Sequence, residues 1–252
     1  MNIFKNKLQK GNILYGPFWK INSQALVEVA AYSGWDFAIF DMEHGPHSPQ
    51  TIEDLVRTAN GFNLNSIIRV PQNEENAIVK ALDTGADCVL VPHVSLPEEA
   101  FSVVRAGKFH PLGQRGMDVY ARAAKYGHIP KSKYIEKANN KTVLGIQIEG
   151  KEGVNNLTEI LKIGGIDLIF IGPYDLSESM GVPGETTNPK VISQIKKIVK
   201  EIKCVGKYMG IYVDSIDEAH LWAKLGVQFI SFSVDTRIFY QASYNLVMQL
   251  KK

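Results

Sequence analysis

The apolar residues of this chain fall into eight short runs separated by longer stretches with helical spacing. Within each run they are nearly continuous and do not alternate with polar residues. Strands covered on both faces have this pattern, as in a parallel sheet flanked by helices. We therefore predict strands at 13–19, 37–43, 65–70, 88–94, 143–149, 168–174, 208–213 and 229–234.

The stretches between the runs carry the signals that begin and end helices. Ser48 places a capping hydroxyl before Pro49, which suits the first helical position. Ser215 and Glu218 have the spacing of a capping box. Gly226, like several other glycines, follows a helical stretch where a left-handed C-cap is needed. We predict helices at 22–33, 48–60, 73–84, 97–107, 151–163, 189–204, 215–225 and 236–250.

Eight strand–helix units in sequence predict a single-domain (β/α)8 barrel, the TIM-barrel fold, over residues 1–252. An open, doubly wound sheet is the alternative. The first predicted strand runs into GPFWKINS without a dinucleotide-binding fingerprint, and the sequence contains no P-loop. A long insertion at about 109–142 separates the fourth and fifth strands. Loops of this length in compact domains are usually functional or mobile.

Charge and composition narrow the class of protein. The chain has 28 Lys and Arg against 26 Asp and Glu, whereas a nucleic-acid binder should show a clustered basic excess. No apolar run approaches the ~20 residues of a membrane helix, and MNIFKNKLQKG lacks the apolar stretch of a secretory signal. Two cysteines, Cys88 and Cys204, make no disulfide framework and fit a reducing compartment. We expect a cytoplasmic protein that binds neither nucleic acid nor membrane.

Acidic residues follow two neighbouring predicted strands, where a barrel carries its chemistry. Glu149 ends the fifth strand and Asp175 follows the sixth, so their carboxylates should converge. Two carboxylates with open positions suit a hard divalent ion such as Mg²⁺ or Mn²⁺. A glycosidase pair of carboxylic acids is the other interpretation.

Arg69 ends the third strand and is a candidate anchor for a carboxylate or an oxyanion, because its fork matches those groups. Ion pairing with Asp41 or Glu43 is the alternative role. His44 follows these two acids and suits a general base near neutral pH. Asp83 is a candidate partner that would orient His44.

A lysine that forms a Schiff base is the competing mechanism. Such a lysine should lie within a barrel strand, and none of the predicted strands contains one. Lys20 and Lys151 lie just beyond the first and fifth strands and are weaker candidates.

At this point the motifs resemble a known family over nearly the whole chain. The sequence is similar to the HpcH/HpaI aldolases, metal-dependent class II aldolases of the 4-hydroxy-2-oxoheptanedioate and 2-dehydro-3-deoxyglucarate type. Any one of the motifs is weakly specific, but together they are highly specific. They are FDMEHGPHS at 40–48, IIRVP at 67–71, ALDTGAD at 81–87, HPLGQRG and YARAAKYG within 110–127, QIEGKEG at 147–153 and GPYDLSESMG at 172–181.

The resemblance implies a (β/α)8 barrel that assembles as a homohexamer with the last helix exchanged between neighbours. It implies that Glu149 and Asp175 hold a divalent metal, Mg²⁺, Mn²⁺ or Co²⁺. Pyruvate or its enolate would chelate that metal through carboxylate and carbonyl oxygens. The substrates would be a small 2-oxo acid and an aldehyde.

The resemblance also assigns roles to other residues. Arg69 would stabilise the enolate and aldehyde oxygens, and His44, paired with Asp83, would act as the acid and base. Gln147 would support the bound substrate. The segment Pro173, Tyr174 and Asp175 would hold the carboxylate through backbone N–H groups. Arg115 and Arg122 would order the mouth or contact a neighbouring subunit.

The expected reaction is reversible retro-aldol cleavage of a 4-hydroxy-2-oxo acid to pyruvate and an aldehyde. Two alternatives stay open: a siderophore-type synthase that joins acetyl-CoA and oxaloacetate, and a non-catalytic 2-oxo-acid binding protein. Tyr174 stands where many members carry a small residue, and His93 stands where many carry an apolar one. Both differences bear on the choice of aldehyde.

Overall fold

The computed structural model describes residues 3–252. Eight parallel strands form a closed barrel in which each strand pairs with the next and the last pairs with the first. This confirms the predicted (β/α)8 fold and excludes the open sheet. The strands are β1 (Leu14–Trp19), β2 (Phe37–Asp41), β3 (Asn65–Arg69), β4 (Cys88–Val91), β5 (Val143–Ile148), β6 (Leu168–Ile171), β7 (Tyr208–Val213) and β8 (Phe229–Val234).

Helices lie around the barrel, and those between strands return the chain from the carboxyl end of one strand to the amino end of the next. One further helix precedes β1 and another follows β8. The helices are α1 (Ile3–Gln9), α2 (Gln24–Tyr32), α3 (Pro49–Gly61), α4 (Glu75–Asp83), α5 (Pro97–Gly107), α6 (Lys131–Lys141), α7 (Lys151–Asn155), α8 (Leu157–Leu161), α9 (Pro173–Ser179), α10 (Pro189–Val205), α11 (Ile216–Lys224) and α12 (Asp235–Leu250). A 3₁₀ segment, Arg122–Gly127, precedes α6.

Two layers of apolar side chains explain why the strands are apolar on both faces. One layer lies between the sheet and the helices, and the other fills the barrel interior. The rings of Phe37 and Phe229 stack inside the barrel with their centroids 4.0 Å apart. Phe4 of α1 meets the Phe229 ring edge-on, so α1 closes the amino end of the barrel. Small-molecule access is therefore left to the opposite end, the mouth.

Several elements differ from the predicted ones, each for a local reason. The insertion at 109–142 contains α6, whose only buried residue is Tyr134, so its apolar period is weak. The predicted helix 151–163 is divided at Asn156 into α7 and α8. The sixth strand stops at Ile171 because Pro173 cannot donate to the ladder and instead begins α9.

Two further features are the hydropathy of the helices and the state of the two cysteines. No helix in the described part of the chain is long and apolar enough to cross a membrane. Cys88 and Cys204 are both free thiols, the first buried and the second exposed.

Candidate active site

A cavity of about 250 Å³ opens at the mouth of the barrel. Its wall combines charged and polar groups from the ends of β2, β3 and β5 with aromatic rings from β1, β6 and β7. The lining residues are Phe18, Lys20, Asp41, His44, Arg69, Gln147, Phe170, Gly172, Pro173, Tyr174, Asp175, Tyr212 and Val234. Most of the residues predicted for the site therefore share one hollow.

Arg69 lies beside Asp41 because β2 and β3 pair these two residues in register. Its Nε and Nη2 donate to the two carboxylate oxygens of Asp41 at 2.8 Å each, and its Nη1 lies 2.7 Å from Glu43 Oε2. Two of the five guanidinium N–H groups thus donate to Asp41, whereas the contact with Glu43 Oε2 is an ion pair without hydrogen-bond geometry. The ring of Phe18 lies beneath the guanidinium, 4.6 Å from Cζ to the ring centroid. The predicted ion pairing of Arg69 is present, and the side chain also lines the cavity in which a substrate anchor is expected.

Arg69 and Asp41 are both buried, and each charge stabilises the other. Burial alone would raise the pKa of Asp41, but the hydrogen bonds and positive charge of Arg69 outweigh it, so the pKa is lowered. Lys20 adds a weaker attraction, with Nζ 4.0 Å from Asp41 Oδ2. The guanidinium is therefore fixed in position opposite an ionised carboxylate.

Glu149 follows β5 and is 5% exposed. Its Oε2 accepts a hydrogen bond from Gln147 Nε2 at 2.7 Å, and its Oε1 accepts one from the backbone N–H of His93 at 2.8 Å. Burial raises the pKa of Glu149, the N–H and charge of His93 oppose this, and the nearby charges of Asp175 and Glu43 raise it further. Burial and the neighbouring acids thus disfavour the negative charge of Glu149.

Asp175 lies in the first turn of α9, exposed at the mouth, and its charge reaches Glu149. The backbone between β6 and α9 allows this because Gly172 has no side chain. A Cβ at Gly172 would stand 2.6 Å from Glu149 Oε2. A side chain at position 172 would therefore displace the Glu149 carboxylate, and the sequence prediction did not single out this glycine.

These groups suit a hard cation. Glu149 and Asp175 offer carboxylate oxygens, and the buried Oε1 of Gln147 has no hydrogen-bond partner. Carboxylate and amide oxygens are the ligands that Mg²⁺ and Mn²⁺ prefer. Among residues 3–252 no group of three or more His, Cys, Asp and Glu side chains forms a complete metal site. A cation here would therefore keep positions for water or substrate oxygens.

His44 lines the cavity with a side chain that is 61% exposed. Its backbone N–H donates to Asp41 Oδ1 at 3.3 Å, which orients the turn after β2. The ring Nε2 lies 3.9 Å from Glu43 Oε1, too far for a hydrogen bond. The imidazole is therefore accessible to a substrate and has no close partner within the described chain.

Asp83 does not orient His44 within this chain, which corrects the predicted pairing. Asp83 ends α4, and α4 leads from the mouth back to the amino end of the barrel. There its Oδ1 accepts a hydrogen bond from Arg115 Nη2 at 2.6 Å, beside a cavity of about 650 Å³ bounded by the insertion. Burial raises the pKa of Asp83, and the hydrogen bond from Arg115 opposes that rise. Arg122 bonds the carbonyl of Thr84 at the same end.

Tyr174 forms one wall of the mouth and is held there by a carboxylate. Its hydroxyl donates to Asp214 Oδ2 at 2.6 Å, and the hydroxyl of Tyr212 donates to Asp214 Oδ1 at 2.8 Å. The hydrogen bond to Asp214, with burial, raises the pKa of Tyr174 to about 12. Tyr174 and Asp175 have unbonded first-turn N–H groups, whereas Pro173 has none, so only the first two can donate to a carboxylate.

Sequence reasoning missed part of this wall. Phe18, Phe170 and Tyr212 lie inside strands, where an apolar residue that lines a cavity cannot be told from one in the core. Asp214 follows β7, and its carboxylate anchors the two tyrosines. The alternation of facing directions along a strand was the one signal that could have identified these positions.

Comparison with known proteins identifies the family of the chain. A model of the HpcH/HpaI aldolase/citrate lyase family matches residues 14–242. The chain is 34% identical over 242 residues to the 2-keto-3-deoxy-L-rhamnonate aldolase of Escherichia coli (strain K12). The alignment covers 96% of this chain and 90% of that protein.

Solved structures show the same architecture. A HpcH/HpaI aldolase/citrate lyase family protein from Burkholderia cenocepacia J2315 superposes over the full length of both chains with a TM-score of 0.94 and 27% identity. The citrate synthase SbnG matches with a TM-score of 0.89 and 29% identity, over 98% of this chain and 97% of that one. The family predicted from the motifs is confirmed: the chain belongs to the HpcH/HpaI aldolase/citrate lyase family.

Proposed function

We propose that this protein is a metal-dependent class II aldolase that reversibly cleaves a 4-hydroxy-2-oxo acid to pyruvate and an aldehyde. The family description names aldolase and citrate lyase, which both cleave carbon–carbon bonds, and the chain is accordingly a carbon–carbon lyase. The observation that carries the proposal is the placement of Arg69 against the same hollow as Asp175, with Glu149 adjoining it.

Retro-aldol cleavage develops negative charge on the oxygen of an enolate. Asp41 uses two of the N–H groups of Arg69, which fixes the guanidinium before the reaction begins and leaves other N–H groups for that oxygen. Preorganised donors stabilise the charged transition state more than the neutral ketone. Held by Glu149 and Asp175, a divalent cation would supply Lewis-acid stabilisation of the same charge.

His44 is the group we assign to proton transfer. The reaction removes a proton from the 4-hydroxyl group in cleavage and returns it in the aldol direction. His44 faces the cavity, is open to substrate, and has the chemistry of a base near neutral pH. The N–H groups of Tyr174 and Asp175 would orient the substrate carboxylate, with Gln147 supporting the substrate from β5.

We also propose that the protein is a homo-oligomer, most simply the hexamer of the family. The outward face of α12 exposes many apolar side chains that only another surface would cover. They are Phe239, Tyr240, Tyr244, Leu246, Val247, Met248 and Leu250. Exposed apolar patches of this kind mark protein interfaces.

Assembly would also give Asp83 the role expected of it. Asp83 and His44 lie at opposite ends of one barrel, so Asp83 can orient a His44 only in a neighbouring copy. Its side chain is 25% exposed, and only one of its oxygens is used by Arg115. We place the working protein in the cytoplasm, where its free thiols Cys88 and Cys204 would stay reduced.

Two substrate pairs, each with and without a chelator, test the proposal. One assay combines pyruvate with a set of aldehydes, and the other combines acetyl-CoA with oxaloacetate. We expect product only from pyruvate and an aldehyde, and only with a divalent cation present. Citrate formation that survives the chelator would instead assign the chain to the synthase alternative. Inactivity in both assays, together with saturable pyruvate binding, would assign it to the binding-protein alternative.

A further inference from the structure

His93 adopts an unusual backbone conformation at the mouth of the barrel. It follows β4 with a φ of 53°, in the left-handed region that residues with side chains rarely occupy. Such strain persists only where surrounding interactions hold it in place, and it concentrates at functional sites. The contacts of His93 therefore need an explanation.

Those contacts join two acids on opposite sides of the site. The ring Nδ1 of His93 lies 2.9 Å from Glu149 Oε1, and the ring Nε2 lies 2.9 Å from Glu43 Oε1. The backbone N–H of His93 donates to Glu149 Oε1 as well, at 2.8 Å. In this left-handed conformation the backbone N–H and the ring of His93 contact the same carboxylate oxygen.

The two oxygens of Glu149 are consequently unequal. Oε1 is contacted twice by His93, through the backbone N–H and through ring Nδ1, whereas Oε2 accepts one hydrogen bond, from Gln147. Oε2 is also the oxygen that faces Gly172, which lines the mouth cavity together with Asp175. Oε1 is thus held by His93, and Oε2, which accepts from Gln147, is the oxygen beside the backbone that lines the mouth cavity.

We propose that His93 is a positioning residue that holds Glu149 so that only Oε2 is offered to a cation. The inference rests on the proposed function, since it concerns the cation assigned to Glu149 and Asp175. A carboxylate that offers one oxygen suits the octahedral ions Mg²⁺, Mn²⁺ and Co²⁺. Ca²⁺ takes more oxygens and often both from one carboxylate. His93 would therefore favour the smaller ions over Ca²⁺.

The link to Glu43 supports the same role. Glu43 Oε2 lies 2.7 Å from Arg69 Nη1 while its Oε1 meets His93. The imidazole thus fixes Glu149 relative to the acid that also positions the guanidinium. A cation on Glu149 and the N–H groups of Arg69 would then keep a constant separation, as a shared substrate oxygen requires.

Mn²⁺ binding to the full-length protein, measured by electron paramagnetic resonance without substrate, tests the inference. Ca²⁺ is then titrated as a competitor. His93→Gly removes the ring at a position where glycine adopts the backbone freely, so folding should be retained. His93→Asn restores a side-chain donor and tolerates left-handed backbone. His220→Leu, on the exposed face of α11, is the matched control.

We expect His93→Gly to weaken Mn²⁺ binding roughly 10- to 100-fold, the usual effect of removing a group that orients a metal ligand. The ratio of Ca²⁺ to Mn²⁺ affinity should rise, because Glu149 can then turn both oxygens to the ion. His93→Asn should recover most of the Mn²⁺ affinity and the discrimination, and His220→Leu should match the wild type. Thermal unfolding of each variant shows that the fold is intact.

The remaining outcomes overturn the inference in distinguishable ways. If the wild type binds Mn²⁺ and His93→Gly binds it equally well with the same Ca²⁺ ratio, His93 does not position Glu149, although the proposed function stands. If folded His93→Asn is as weak as His93→Gly, a donor at this position is not what matters. If the wild type binds neither ion, the proposed metal site fails together with this inference.

Discussion

The guanidinium of Arg69 meets the carboxylate of Asp41 through two parallel hydrogen bonds, 2.8 Å from Nε to Oδ1 and 2.8 Å from Nη2 to Oδ2. Neighbouring strands place the two residues in register, and Asp41 is completely buried. Bidentate pairs of this kind fix direction as well as distance. Pairing between β2 and β3 therefore fixes the position of the Arg69 guanidinium at the mouth of the barrel.

Asp41→Asn should expose the importance of this pair for stability. Removing one partner of a buried ion pair leaves the guanidinium compensated only in part, by Glu43, so we expect a loss of up to about 3–5 kcal/mol at pH 7. Chemical denaturation followed by fluorescence measures it. An Asp41→Asn protein as stable as the wild type would show that the pair contributes little to the fold.

The same pair predicts how stability depends on pH. Because the pKa of Asp41 is lowered in the folded chain, its contribution is complete above the unfolded value of about 3.9. It is lost as the pH falls through the folded value. The difference in unfolding free energy between wild type and Asp41→Asn should thus be constant from pH 5 to 7 and shrink below about pH 4. A difference that widens toward acid pH would contradict this sign.

Arg69→Lys keeps the charge but loses the fork. The ammonium group cannot hold both oxygens of Asp41 and also present donors to a substrate oxygen. We expect kcat to fall by about 10²- to 10³-fold, the effect of losing one preorganised donor. Arg57→Lys is the matched control, because Arg57 pairs with Glu53 on the exposed face of α3. Equal kcat values for the two variants would remove Arg69 from the reaction.

Subunit mixing tests the placement of Asp83. His44→Asn and Asp83→Asn should each be nearly inactive alone. If Asp83 acts in a neighbouring copy, co-expression of the two chains with different tags should restore activity, since some sites receive an intact residue from each chain. If mixed oligomers form but show no recovery of activity, Asp83 has only its structural role as the partner of Arg115.

The exposed face of α12 predicts an oligomer that a charge can weaken. Leu246→Glu places a carboxylate among the apolar residues of that face, where Leu246 is 60% exposed. Burial of an unpaired charge in an interface is costly, so the variant should dissociate into smaller species. Light scattering coupled to size-exclusion chromatography measures the mass, and Glu201→Gln on exposed α10 provides the control. An unchanged mass would show that this face is not an interface.

The barrel could be predicted from the sequence because every strand of a closed parallel sheet is covered on both faces. The eight predicted strands therefore stand out as nearly continuous apolar runs, and all eight occur. Helix α6 could not be identified, since its polar surface leaves only Tyr134 to face the interior. The sixth strand was extended too far because GPY continues its apolar run, although Pro173 redirects the chain into α9.

The site divides in the same way. Arg69, His44 and Asp175 could be placed at one mouth because strand ends in a barrel converge there. The residues that hydrogen-bond to these side chains could not be predicted, because side-chain directions do not follow from the spacing of residues in the sequence. Asp83 shows this most clearly, since the family motif contains it but the direction of α4 carries it to the far end of the barrel.

Proton exchange at the methyl group of pyruvate is the most direct measurement of the central claim, that Glu149, Asp175 and Arg69 together stabilise an enolate. Nuclear magnetic resonance in D₂O follows it without any aldehyde. We predict deuterium incorporation with Mg²⁺ or Mn²⁺ that stops with chelator and is lost in Glu149→Gln. Absence of exchange in the wild type, or exchange indifferent to the chelator and to Glu149→Gln, would contradict the account.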